Sequence, residues 1–116
     1  MRICLFPGTF DPVTLGHTDI IDRALPLFDK LVIGIGRNIN KKPMFTEKQR
    51  LKWLREIYKD NPKVEALAYD GLTVDCCNQV GANFILRGIR YVNDFEYEKA
   101  IADMNRSIDQ KIETIF

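Results

Sequence analysis

A chain of 116 residues, 46% hydrophobic and 28% charged, has room for one compact domain with a buried core and too little for two ordinary ones, and its composition argues against disorder. Its net charge of +1 excludes the global positive field by which nonspecific nucleic-acid binders hold their target, so any anion has to be held by local groups. No apolar run reaches the roughly 18 residues of a membrane span, and Met1-Arg2 leads into a short apolar segment that meets Pro7 too early for a secretory signal, so a cytoplasmic protein with neither membrane nor nucleic acid as partner is expected.

Short apolar runs alternate with helix-like stretches along the chain. Residues 3–6 read as the first strand. After Gly16, the residues Ile20, Ile21, Ala24 and Phe28 fall on one helical face, and Pro26 should loosen its last turn. A second strand over 31–35 is followed by a helix over 46–58, opened by the capping-box spacing of Thr46 and Gln49 and striped by Leu51, Leu54 and Tyr58. A third strand spans 64–68. The next helix, 72–80, stops at Gly81. A fourth strand, 84–86, precedes a helix over 94–108 with Asp94 at its positive end and Tyr97, Ile101, Met104 and Ile108 along one side; 112–116 reads as a fifth strand. Five mostly continuous apolar strands alternating with four helices predict an α/β fold with a doubly wound parallel five-stranded sheet. Cys4, Cys76 and Cys77 form no metal-type pair, and adjacent Cys76-Cys77 suits no ordinary disulfide, so reduced, buried thiols are expected.

Ligands of such sheets collect beyond the carboxyl ends of the strands, which directs attention to three loops. The first, residues 7–17, carries two glycines and two prolines, Thr14 near the helix N-cap and His17 in the first turn; there an anion meets backbone N–H groups, the helix dipole, the Thr9 hydroxyl and the only imidazole. The second, residues 37–43, adds Lys41 and Lys42. The third, Arg87-Gly88-Ile89-Arg90, offers two guanidinium forks and a glycine that would let backbone approach a ligand. Convergence of Thr9, His17, Lys41, Arg87 and Arg90 on one rim is the expectation. Gly34-Ile35-Gly36 lacks the third glycine of the dinucleotide fingerprint, no Walker-type phosphate loop is present, and one histidine with scattered thiols makes no tetrahedral metal set. Among Asp70, Asp75, Glu96 and Glu98, helix-start and surface roles suffice for most, and Glu98 is kept for its nearness to the arginine loop.

Phe6-Pro7-Gly8-Thr9-Phe10-Asp11-Pro12 followed by Thr14-Leu15-Gly16-His17 resembles the signature of the nucleotidylyltransferase superfamily, with its Rossmann-like fold. Residues 41–46, 86–90, 94–98 and 104–106 narrow the resemblance to the phosphopantetheine adenylyltransferases. The resemblance implies transfer of the adenylyl group of ATP to 4′-phosphopantetheine, giving dephospho-coenzyme A and pyrophosphate in coenzyme A synthesis, with Mg2+ carried by ATP and no metal held by the protein. It implies that Thr9, Phe10, His17, Gly88, Ile89, Arg90 and Glu98 contact the nucleotide, that His17 stabilises the transition state with Lys41 also catalytic, and that Thr9, Lys41, Thr73, Arg87 and Asn105 contact the acceptor. It further implies a homohexamer, and residues 1–116 are expected to form a single nucleotidyltransferase domain without the serine-rich segment that follows the fifth strand in the family. Two other readings stay open: a nucleotidyltransferase of the same fold acting on nicotinamide mononucleotide or a phospho-alcohol, and a noncatalytic nucleotide-binding fragment.

Overall fold

The computed structural model describes residues 1–38 and 40–116; Ile39, in the second of the three loops, lies outside them. The elements follow as β1 (Ile3–Gly8), α1 (Leu15–Ala24), a 3-10 turn (Leu25–Leu27), β2 (Lys30–Gly36), α2 (Glu47–Ile57), β3 (Val64–Tyr69), α3 (Thr73–Val80), β4 (Phe84–Leu86), α4 (Val92–Ile108) and β5 (Glu113–Ile115). All pairings are parallel, in the order β3-β2-β1-β4-β5. The direction of winding reverses between β1 and β4, which opens a crevice at their carboxyl ends.

Alternate residues of each strand face opposite sides of the sheet, and both sides are apolar because both are covered. On one side Cys4, Phe6, Leu31, Ile33 and Ile35 pack under Ile21 and Ala24 of α1 and Leu54 of α2. On the other, Leu5, Val32 and Ile85 meet Val74, Cys76 and Cys77 of α3 and Ile112. The three thiols are buried and unpaired, and burial pushes Cys4 and Cys77 up to about 12, which keeps them protonated and unreactive at neutral pH.

Helix ends follow the local chemistry read from the sequence. The 3-10 turn begins where Pro26 denies α1 another regular turn. Thr46 Oγ1 accepts the Gln49 N–H at 3.1 Å, and Gly81 closes α3 in the left-handed region at φ 77°. Gly34 and Gly36 have a packing explanation: a Cβ on Gly34 would come within 3.0 Å of the Leu5 and Tyr69 side chains, and one on Gly36 within 3.3 Å of the Tyr69 hydroxyl. The glycines make room for a tyrosine laid across the end of β2.

Four expectations need correction. Phe28 is not on the face of α1, which ends at Ala24; it follows the 3-10 turn in extended backbone and packs into the same core. β5 is shorter than 112–116, because Ile112 is buried in the turn before the strand. Helix α4 starts earlier, at Val92, with the Asp94 carboxylate accepting the Arg90 and Tyr91 N–H groups at 3.2 and 3.3 Å. Its apolar stripe is not core: Tyr97 is 69%, Met104 63% and Ile108 50% exposed, and no residue of the helix is buried. The short β5 beside α4 offers little surface to cover, and spacing identifies a stripe without saying what lies against it. No helix among the described residues is long and apolar enough to cross a membrane.

Candidate active site

The three loops leave the carboxyl ends of β2, β1 and β4, which are neighbours in the sheet. Directly after β1 the chain turns sharply at Phe10, a non-glycine residue at φ 47°, a conformation that costs on the order of 1–3 kcal/mol. Burial of an aromatic ring offsets that cost: Phe10 is only 2% exposed and stands edge-on to Phe6 at 5.3 Å and to the His17 imidazole at 4.8 Å between centroids. With its ring committed to the core, Phe10 has only its backbone to offer a nucleotide.

Thr14 then caps α1, and His17 answers from the third helical position. The Thr14 N–H donates to His17 Nδ1 at 3.0 Å, Thr14 Oγ1 lies 3.1 Å from the same nitrogen, and the His17 N–H donates to Thr14 Oγ1 at 3.4 Å. A backbone N–H can only donate, so Nδ1 is an acceptor and the proton of the neutral ring sits on Nε2. Burial pulls the imidazole below its usual 6.5, so the ring is neutral at physiological pH. The result is a neutral Nε2–H donor at the positive end of a helix. NMR titration of the imidazole should therefore show the Nε2–H tautomer and a midpoint below 6.5. Because the unfolded chain takes up this proton more readily than the folded one, the stability contributed by His17 is complete above about pH 6.5 and is lost as pH falls through the lower folded value. A midpoint at or above 6.5, or an Nδ1–H tautomer, would contradict this assignment.

The second loop lies across the first. Between them opens a cavity of about 230 Å³, lined by Thr9, Gly36, Asn38, Lys41 and Pro43 together with the cations Arg37 and Arg50 and the acids Asp11 and Asp70. The acids are engaged. Asp11 accepts the Met44 and Phe45 N–H groups at 2.6 and 2.8 Å; burial pushes its carboxyl up, but those two N–H groups with Arg50 and Lys41 outweigh it and hold the carboxyl below its usual value. Asp70 accepts from Arg37 at 2.8 Å, and Glu47 takes the other side of that guanidinium.

The third loop is fastened to β1. Arg87 Nη1 donates to the Pro7 carbonyl at 2.7 Å, while Nε and Nη2 fork onto Glu98 at 2.9 and 2.8 Å. The Gly88 backbone lies close to α1: a Cβ there would sit 2.3 Å from the free end of the Ile20 side chain, Cδ1. Ile89 and Arg90 are exposed, with the Arg90 guanidinium 5.9 Å above the Tyr91 ring.

Thus Thr9 and Lys41 share the cavity, Arg87 and Glu98 pair beside the end of β1, and His17 leans on Phe10. Of the residues expected to converge, only Thr9 and Lys41 line this cavity; Phe10, His17, Arg87, Gly88, Ile89, Arg90 and Glu98 stand outside its lining, as do Thr73, whose hydroxyl lies 3.0 Å from the Tyr69 hydroxyl, and half-buried Asn105. Arg50, 7% exposed, was missed by sequence reasoning although it lines the cavity; its signal is a position four residues before Leu54 and eight before Tyr58, on the buried stripe of α2.

Residues 5–116 match the family model described as cytidylyltransferase-like. The chain is 55% identical over 116 residues to phosphopantetheine adenylyltransferase of Flavobacterium psychrophilum, covering 100% of itself and 76% of that protein. It is 52% identical over 115 residues to the protein of the same name from Bacteroides thetaiotaomicron, covering 99% of itself and 76% of that protein. Among solved structures, the lipopolysaccharide core biosynthesis protein of Thermoplasma volcanium superposes with a TM-score of 0.69 at 23% identity, over 98% of this chain and 93% of that one, a likeness of fold.

Proposed function

Since the chain belongs to the cytidylyltransferase-like family and, within it, to the phosphopantetheine adenylyltransferases, we propose how its own residues divide the work of moving the adenylyl group of ATP onto 4′-phosphopantetheine. The observation that carries the reading is identity above one half across the whole chain to an enzyme of that name. The three loops at one sheet edge support it.

The 4′-phosphate of the acceptor attacks the α-phosphorus of ATP in line; a bond from phosphate oxygen to phosphorus forms, the bond to the bridging oxygen of the β-phosphate breaks, and pyrophosphate leaves. A phosphate nucleophile is already ionised near neutral pH, so catalysis rests on positioning and on donors facing the charge that builds on the α-phosphoryl oxygens. His17 Nε2–H is such a donor, and the strength of its bond grows as that charge develops. Lys41 aligns the acceptor phosphate and offsets its charge, with the Thr9 hydroxyl between the two substrates. Arg87, held flat by Glu98 and Pro7, presents its guanidinium edge to the acceptor. Gly88, Ile89 and Arg90 line the nucleotide with backbone and charge, Glu98 of α4, paired with Arg87, adds its contact to ATP, and Thr73 and Asn105 receive the pantetheine arm.

Magnesium fits this site as a companion of ATP. The cavity carboxylates Asp11 and Asp70 are bound to backbone N–H groups and to Arg37, so an ion held by ATP oxygens and water suits the donor set better than a protein cage. It would offset phosphate charge during transfer. The cytoplasm as the place of action and a homo-oligomer, with a hexamer as the form that the resemblance implies, complete the reading; the exposed stripe of α4 supports self-association.

The test is a pyrophosphate-release assay over an acceptor panel with ATP and with CTP. Release is expected only with ATP and 4′-phosphopantetheine. Comparable release with nicotinamide mononucleotide, a phospho-alcohol or CTP would overturn the assignment of substrates.

A further inference from the structure

The buried guanidinium of Arg50 has no part in the chemistry derived above. Removing an arginine from water is expensive, and an apolar side chain of similar size would fill the stripe of α2 beside Leu54 and Tyr58 at less cost. What Arg50 does instead is join loops: Nε donates to the Phe45 carbonyl at 3.0 Å and Nη1 to the Thr9 carbonyl at 2.9 Å. From the other side, Asp11 of the first loop accepts the Met44 and Phe45 N–H groups. The bonds close a ring through Thr9, Arg50, Phe45 and Asp11 that crosses from one loop to the other twice, and Lys41 stands three residues before Met44 on the segment so held.

We propose that Asp11 and Arg50 are positioning residues which brace the Lys41 loop against the Thr9 loop and so set the Lys41 ammonium at the acceptor phosphate. The proposal rests on the assignment of Lys41 to the acceptor. Neither residue has to touch a substrate. Each fixes backbone, and displacement of a positioning group by about 1 Å can cost roughly 100-fold in rate. Arg50 ties one carbonyl of each loop to the other, and Asp11 holds two successive N–H groups of the Lys41 loop. Lysine at position 50 cannot reach two carbonyls in a fixed fork, and asparagine at position 11 keeps one acceptor oxygen where two N–H groups need satisfying.

Arg50→Lys and Asp11→Asn, made in the wild-type and the Lys41→Ala chain, form two double-mutant cycles. In the wild-type background each is expected to lower kcat/KM for 4′-phosphopantetheine about 10-fold while affinity for ATP stays within about threefold. Over Lys41→Ala the same changes should cost less than about twofold, since no ammonium remains to be placed. Equal losses in both backgrounds, a matching fall in ATP affinity, or unaltered kinetics would overturn the brace. Denaturant midpoints check folding, and if Arg50→Lys does not fold the Asp11→Asn cycle decides. Native-state hydrogen exchange at the Met44 and Phe45 amides reads the brace without turnover: both should exchange faster in Asp11→Asn, and unchanged exchange sinks the idea. Should the wild-type chain transfer nothing to 4′-phosphopantetheine, the substrate reading fails, while the amide measurement still decides the brace.

Discussion

Replacing His17 with alanine is expected to lower turnover roughly 100-fold or more, the scale of losing one preorganised donor to a developing oxyanion. The size of the effect follows from how the ring is prepared before substrate arrives. Thr14 holds Nδ1 as an acceptor, the Phe10 ring packs edge-on against the imidazole at 4.8 Å, and burial keeps it uncharged, so in the proposed role the Nε2–H needs no reorganisation when charge builds on the α-phosphoryl oxygens. The fold should survive. The imidazole is only half-buried, and its loss removes capping contacts at an exposed helix end, worth about 1 kcal/mol. The pairing of kcat from pyrophosphate release with a denaturant curve on the same preparation separates the two effects. Near-normal turnover in a folded His17→Ala protein would take His17 out of the catalytic role.

Arg87→Ala should damage both function and stability, and the two losses can be separated. Under the proposed assignment of Arg87 to the acceptor, loss of its charge-assisted bonds to the phosphate is expected to raise KM roughly 10- to 100-fold. The fold also suffers, because Glu98, with its side chain only 11% exposed, is left with an unpaired carboxylate. Breaking a fully buried pair costs about 3–5 kcal/mol, and with the Arg87 side chain 32% exposed we expect about 2 kcal/mol here. Removing Glu98 as well should recover part of that stability, since no charge is then stranded, but none of the acceptor affinity. Recovery of KM in the double variant would mean that Arg87 acts only by neutralising Glu98.

Much of this molecule was already legible as a string of residues. Continuous apolar runs such as 31–35 predict strands covered on both faces, Gly81 and Thr46 mark helix ends, and strict alternation predicts the parallel sheet; these features depend on near neighbours in the chain, so residue order is enough to state them. The position of the loops at one edge follows in turn, since parallel strands all point their carboxyl ends the same way. The family is likewise written in short motifs.

What resisted such reading are encounters between distant segments. Asp11 meets Met44 and Phe45, Arg50 reaches Thr9 across 41 positions, and Arg87 reaches Pro7 across 80. Phe10 has the residue type of a ligand platform, yet a backbone turn at φ 47° sends its ring into the core. Gly34 and Gly36 make no fingerprint by spacing, and only the packed fold shows what they make room for, the Tyr69 side chain laid across the end of β2. The stripe on α4 has core spacing without core burial. Periodicity encodes which side of an element is apolar, whereas the partner of a charged or aromatic side chain depends on where another loop comes to rest, and that is settled only when the layers pack.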